Sequence, residues 1–263
     1  MASTASKKIN RYKNIFKRLN NKTAYFSGKL FGFGSSFKFD IKGFGEIEVP
    51  KRMMGPFREN FFDAVYFKGF PQEKLESMEL QTVIDIGANV GFFSLSVFAD
   101  YPEAKVYAFE PHPYNFKLLN ERKEVFAQLD WEVFNTAVAG EEGTITLNAS
   151  TLDGFATMAS IHANASNVES VEVEALDLAQ AMQIHNINQV DLLKLDCEGA
   201  EYPILYNAPD ETFQKIKSIC IETHQTEEQD HNQSALHQFI KEKGYQTATA
   251  SDTEKTGYIW AWK

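Results

Sequence analysis

The sequence predicts an α/β fold built on a mostly parallel, doubly wound sheet, and three observations carry that expectation. From residue 81 onward, short apolar runs alternate with helical stretches, the pattern of parallel strands joined by crossover helices. The first of these strands runs into a glycine turn, Asp85-Ile-Gly87-Ala-Asn89-Val-Gly91, which opens onto a helix. The chain closes with two strand-like runs that have no helix between them. Such a pair can only be joined as a hairpin, so the sheet should end in an antiparallel edge.

Taken in order, residues 7–22 place Ile9, Tyr12, Ile15, Phe16 and Leu19 at steps of three and four, which predicts an amphipathic helix with a Lys/Arg-rich opposite face. Residues 25–49 alternate Phe with polar residues and are punctuated by glycines, which reads as short hairpin strands. A helix is expected across 56–68, where Phe57, Phe61, Phe62, Val65 and Tyr66 share a face. Strands are expected at 82–86, 105–109, 131–138, 190–195 and 218–222, with further strands at 144–147 and 171–175. Helices are expected at 92–98, 114–126, 201–215 and 235–243, and the closing strands at 245–250 and 257–262. The change of texture divides the chain into an N-terminal α/β decoration, 1–75, and a ligand-binding domain, 76–263.

The charge distribution constrains the partners. The 263 residues carry a formal net charge of −10, which weighs against a general nucleic-acid binder. Residues 1–60 nevertheless hold 13 Lys+Arg against 4 Asp+Glu, so the body is strongly acidic and the front end basic. The basic helix suits either packing on its own domain or a peripheral contact with an anionic glycolipid or membrane surface. Two cysteines, Cys197 and Cys220, each inside an apolar run, read as free buried thiols in a reducing compartment. With no apolar run long enough to span a bilayer and no signal-like segment, a cytoplasmic protein is expected.

Ligands of doubly wound sheets bind beyond the carboxyl ends of the strands, where the strand order reverses. Five groups of residues stand there. Asp85, Gly87, Asn89 and Gly91 form the first turn; a dinucleotide fold would want glycine at 89, so Asn89 argues against a nicotinamide cofactor. Glu110 ends the second strand 25 residues after Asp85, where a carboxylate can accept both ribose hydroxyls of an adenosine. The small residues Thr136 and Ala137 follow the third strand and leave room for a flat base. Asp196, Glu198 and Glu201 crowd three carboxylates into six residues after the fourth strand, and the fifth delivers Glu222 and His224. Asp196, Glu222 and His224 are also the residue types of a weak divalent-metal site. The small, polar segment 150–167 reads as a lid, an acceptor-binding loop or an ordinary surface loop.

Together these segments resemble the FkbM family of S-adenosylmethionine-dependent methyltransferases: VIDIGANVGFFSL at 83–95, AFEPHPYNFKLLN at 108–120, NTAV at 135–138, LDLA at 176–179, LLKLDCEGAEYPIL at 192–205 and ICIETH at 219–224. Asn89 is what that family's pattern has at this position. The resemblance implies a Rossmann-like seven-stranded methyltransferase sheet and O-methylation of a hydroxyl on a sugar, glycan or secondary metabolite. It assigns Asp85, Gly87, Asn89, Gly91, Glu110, Thr136, Ala137 and Asp196 to the donor. His224 is then the expected base, a neutral imidazole being able to accept a proton near pH 7, with Asp196 as the alternative. The competing expectations are a non-catalytic binding protein on a degenerate fold of this type and a nicotinamide-dependent oxidoreductase.

Overall fold

A computed structural model describes residues 4–23, 25–26, 35–150, 159–160 and 168–263. The N-terminal part comprises helix α1 (Thr4–Arg18), a hairpin of β1 (Ser36–Ile41) and β2 (Gly45–Pro50), and a helical stretch. That stretch runs from a 3-10 turn (Lys51–Met53) through α2 (Met54–Phe57) into a π turn (Arg58–Phe62). The expected helix at 56–68 therefore stops early. Ala64 takes a positive φ of 47°, which breaks the helix and redirects Val65 and Tyr66. A short helix, α3 (Gln72–Glu76), leads into the sheet.

The main sheet has seven strands in the order β12-β13-β11-β10-β3-β4-β5. These are β3 (Thr82–Ile86), β4 (Lys105–Phe109), β5 (Trp131–Phe134), β10 (Leu192–Leu195), β11 (Ser218–His224), β12 (Gln246–Ser251) and β13 (Thr256–Trp262). Strands β5, β4, β3, β10 and β11 pair in parallel, and β13 is antiparallel to both β11 and β12, as the helix-free chain end predicts. The central strands are mostly apolar because both faces are covered, with Asp85 on β3 and Lys194 on β10 as the buried charged exceptions. On one face, Val83, Val106 and Leu192 share a core with α4 (Phe92–Asp100) and the N-terminal segment. On the other, Ile84, Phe109, Leu193 and Ile221 pack with α6 (Leu178–Ile184), α7 (Glu201–Tyr206) and α9 (Gln233–Glu242). Helix α5 (Pro113–Val125) follows β4, and α8 (Asp210–Gln214) is split from α7 where Pro209 interrupts the expected long helix.

Two departures from the sequence expectation concern the third strand. It breaks at Asn135 into β5 and β6 (Ala137–Ala139), and β6 belongs to a separate four-stranded sheet with β7 (Gly143–Ser150), β8 (Ala159–Ser160) and β9 (Val168–Asp177). The Asn135 amide donates to the carbonyls of Glu110 and Pro111 at 3.0 and 2.8 Å, pulling the chain out of the main sheet. Most of segment 150–167 lies outside the described residues, as do residues 27–34 of the expected hairpin.

Helix α4 is apolar on every side, with Phe92 through Phe98 all buried, which requires cover on its outer face as well. The N-terminal segment supplies it: Phe57 meets Phe92 edge-on at 5.1 Å, and Phe67 stacks on Phe93 at 6.0 Å. The basic helix α1 is held down by its own charges. Arg18 is buried and pairs with Asp100 at 2.6 Å, while Arg11 makes a two-toothed contact with Asp63 at 2.6 and 2.7 Å. On its outer side, Phe16 remains 53% exposed. Among the described residues no helix is long and apolar enough to cross a membrane.

Candidate active site

Strand order reverses between β3 and β10, and the sequence-derived residues converge at their carboxyl ends. Gly87 turns the chain there with φ +73°, and a Cβ on it would lie 1.9 Å from the Asp196 carbonyl oxygen. The two strand ends touch through bare backbone. Gly87→Ala is accordingly expected to destabilise the fold by more than about 1 kcal/mol, because it adds a strained φ to a backbone clash. A urea midpoint equal to wild type would contradict this packing.

Asp85 does not face the cavity. It is 0% exposed, accepts the Ser94 hydroxyl at 2.7 Å and pairs with Lys194 Nζ at 3.1 Å. Lys194, equally buried on β10, also donates to the carbonyls of Ile86 and Gly87 at 3.2 and 2.8 Å and lies 3.7 Å from Asp196 Oδ2. Burial disfavours its charge, but Asp85 and Asp196 outweigh that and hold its pKa above the usual lysine value. This lysine sits inside an otherwise apolar strand, and that oddity was the sequence signal for it.

A first cavity is lined by Gly87, Asn89, Glu110, Ala137, Asp196 and Glu198, with Val138 and Leu147 supplying an apolar wall. Five residues expected at the donor thus share one space. Gly91 and Thr136 are not among its lining residues. Gly91 instead faces Trp131, whose ring a Cβ would meet at 2.6 Å. Glu110 accepts the backbone N–H of Asn89 at 2.7 Å and of His112 at 2.9 Å. Burial pushes its pKa up to about 7, against those hydrogen bonds and Lys194.

The three carboxylates after β10 have different surroundings. Glu201 is fully buried and accepts the N–H groups of Cys197 and Gly199 at 2.8 and 2.9 Å, so it folds the loop around itself. It also bonds Nδ1 of His224 at 3.0 Å. Glu198, at φ +54°, and Asp196 line the cavities instead. Burial works against a charge on His224, but Glu201, Asp196 and Glu198 overcome it and raise its pKa to about 10.

A second cavity adjoins the first and shares Gly87, Asn89, Asp196 and Glu198 with it. Its remaining polar lining is Glu59, Asn60 and Tyr66 from the N-terminal segment, Lys194 from β10, and Glu222 and His224 from β11. Tyr66, missed in the sequence as one more core aromatic, is 3% exposed and places its hydroxyl 2.7 Å from Asp196 Oδ2 and 3.0 Å from Glu222 Oε2. Burial first, then Asp196, pushes Glu222 up to about 7.

The residues whose ligand atoms come within 4.8 Å of one another are Asp196, Glu198 and His224, rather than the expected trio with Glu222. Two carboxylates and one histidine are fewer oxygen donors than a hard divalent cation takes, and no metal is assigned to them.

The family model described as the methyltransferase FkbM domain matches residues 85–247. The chain belongs to this family. Its relatives include Methyltransferase 1 of Beauveria bassiana (strain ARSEF 2860), 26% identical over 183 residues that cover 63% of this chain and 71% of that protein. The 31-O-demethyl-FK506 methyltransferase FkbM of Streptomyces tacrolimicus is also 26% identical, over 64% of this chain and 73% of its own. Among solved structures, methyltransferase FkbM from Methylobacillus flagellatus KT is similar at 11% identity with a TM-score of 0.48, over 80% of this chain and 54% of that one. In this FkbM-family methyltransferase the matched span opens on Asp85 and takes in Glu110, Asp196 and His224. It leaves out Tyr66 and Asn60.

Proposed function

We propose that this chain is an S-adenosylmethionine-dependent O-methyltransferase whose acceptor is a hydroxyl of a sugar, glycan or secondary metabolite. The observation that carries the reading is the meeting of two cavities at Asp196, one suited to a nucleoside and one whose polar lining combines the carboxyls of Glu59, Asp196, Glu198 and Glu222 with the donors of Tyr66, Lys194 and His224. In the first, Glu110 would hold the ribose hydroxyls, Val138 and Leu147 the adenine, and Gly87 and Asn89 the amino-acid end. When bound, S-adenosylmethionine supplies a methyl group on a sulfonium cation, which an acidic pocket favours. In the second cavity the carboxylates of Asp196 and Glu198 accept hydrogen bonds from a polyhydroxylated acceptor and would repel a phosphorylated one.

Asp196 is the base in this reading. Lys194 and Tyr66 both hold its Oδ2, which leaves Oδ1 to take the proton of the acceptor hydroxyl while the acceptor's own oxygen would receive the methyl group. The sequence favours His224 for this role, but an imidazolium held by Glu201 has no lone pair to offer. His224 instead keeps a positive charge beside Glu198, 3.8 Å away.

Calorimetric titration tests the donor: S-adenosylhomocysteine should bind and NAD should not, and failure of the first would overturn the reading. Turnover of labelled donor against a panel of sugars, glycolipids and polyketide-like alcohols tests the acceptor. The titration should also depend on pH. Glu110 has a raised pKa, so its contribution to the stability of the free protein is present at acid pH and is lost as pH rises through about 7. A donor that prefers the ionised carboxylate binds better over that same window. With only the ionised fraction competent, affinity at pH 6 should be about ten-fold weaker than at pH 8. Glu110→Gln should flatten that dependence.

A further inference from the structure

The hydroxyl of Tyr66 has one proton and two carboxyl oxygens within hydrogen-bond reach, Asp196 Oδ2 at 2.7 Å and Glu222 Oε2 at 3.0 Å. If both carboxyls were ionised, the single phenol proton would have to be shared between two anionic oxygens. A proton on one carboxyl gives each contact its own hydrogen bond and removes the repulsion, and the two candidates are not equivalent. Asp196 has the Lys194 ammonium 3.7 Å from the same oxygen, whereas Glu222 is half-buried on β11 with no lysine or arginine paired to it among the described residues.

We propose that Tyr66 is a positioning residue for methyl transfer, the centre of a relay in which the Glu222 carboxyl donates to the phenol oxygen and the phenol donates to Asp196. This rests on the reading of Asp196 as the base. The relay fixes which Asp196 oxygen is engaged and which faces the acceptor, and it keeps two neighbouring carboxyls from repelling one another. Its proton count agrees with the groups around it. Burial, Asp196 and Glu222 all hold the phenol protonated, and Glu222 stays partly protonated near neutrality.

The surrounding titratable groups are Asp85 and Lys194 beneath the pair, Glu59 on the N-terminal side, Glu198, Glu201 and Cys197 on the loop after β10, Cys220 and His224 on β11, and Tyr258 on β13. Tyr258 also bonds to Glu222. It does not supply that proton, because its own proton lies between Tyr258 and Glu222 and not between Tyr66 and Glu222.

The test is a carboxyl ¹³C NMR titration of the full chain, with Asp196→Asn and Glu222→Gln identifying the signals. A glutamate signal titrating near pH 7 should vanish in Glu222→Gln while Glu110 keeps its own. In Tyr66→Phe, Glu222 loses the phenol and faces the Asp196 carboxylate directly, so the Glu222 midpoint should rise by about one pH unit. Adding Asp196→Asn to Tyr66→Phe should bring it back. An unchanged Glu222 midpoint in Tyr66→Phe, even with a lowered Tm, would show a packing role only and overturn the proposal. If Tyr66→Phe does not fold, Glu222→Gln alone decides it: persistence of the signal near pH 7 means that Glu222 is not the proton donor. S-adenosylhomocysteine affinity, measured alongside, reports on the donor separately. Its absence in the wild type would count against the methyltransferase reading and leave the carboxyl titrations to judge the relay.

Discussion

Asp196→Asn is expected to lower the rate of methyl transfer by about 10²–10⁴-fold, the usual effect of removing a positioned general base. The amide keeps the size and most of the hydrogen bonds of the carboxylate, so S-adenosylhomocysteine should still bind within a few-fold of wild type. Single-turnover transfer from labelled donor separates the two effects, because a loss confined to the chemical step lowers the rate at saturating donor. His224→Ala serves as the comparison. If Asp196→Asn retains a rate within ten-fold of wild type and His224→Ala does not, the base is the histidine and the Glu201 contact must release its proton during turnover.

The largest loss of stability is expected from Lys194→Met. The methionine fits the space, but Asp85 would keep its carboxylate in a 0% exposed site with only the Ser94 hydroxyl as partner. Breaking one side of a buried ion pair in this way costs about 3–5 kcal/mol. Replacing both partners, as in Asp85→Leu with Lys194→Met, should recover much of that in urea unfolding, since no uncompensated charge then remains. Equal destabilisation of the single and double variants would mean that the lysine acts through its bonds to the Ile86 and Gly87 carbonyls instead. In either case the turn that lines both cavities hangs on one buried lysine.

The parts of this molecule legible in the sequence are those whose physics is local. Strands buried on both faces are largely apolar, so β3, β4, β10 and β11 stand out despite Asp85 and Lys194. The turn after β3 must approach β10 closely, and Gly87 records that. Failures came where a distant contact overrode the local pattern. Nothing between Trp131 and Val138 signals a break; it follows from the Asn135 side chain finding two carbonyls after β4. The carboxylates after β10 look alike as a string, yet Glu201 is a buried anchor and Asp196 lines both cavities, a difference set by which backbone N–H groups each one meets. Tyr66 was least visible, because its partners lie 130 and 156 residues away. The basic front end, which the charge count singles out, proves to be partly an internal fastening, with Arg11 and Arg18 paired to Asp63 and Asp100.

The cover over helix α4 also contributes to the second cavity. The donor cavity is lined entirely from within the span shared with the family, whereas Glu59, Asn60 and Tyr66 on the other cavity belong to the segment before it. That segment shields α4 through its aromatic residues, and it also fastens α1, because Asp63 pairs with Arg11. Glu59 and Asn60 thus reach the second cavity on a segment whose aromatic residues are anchored against α4.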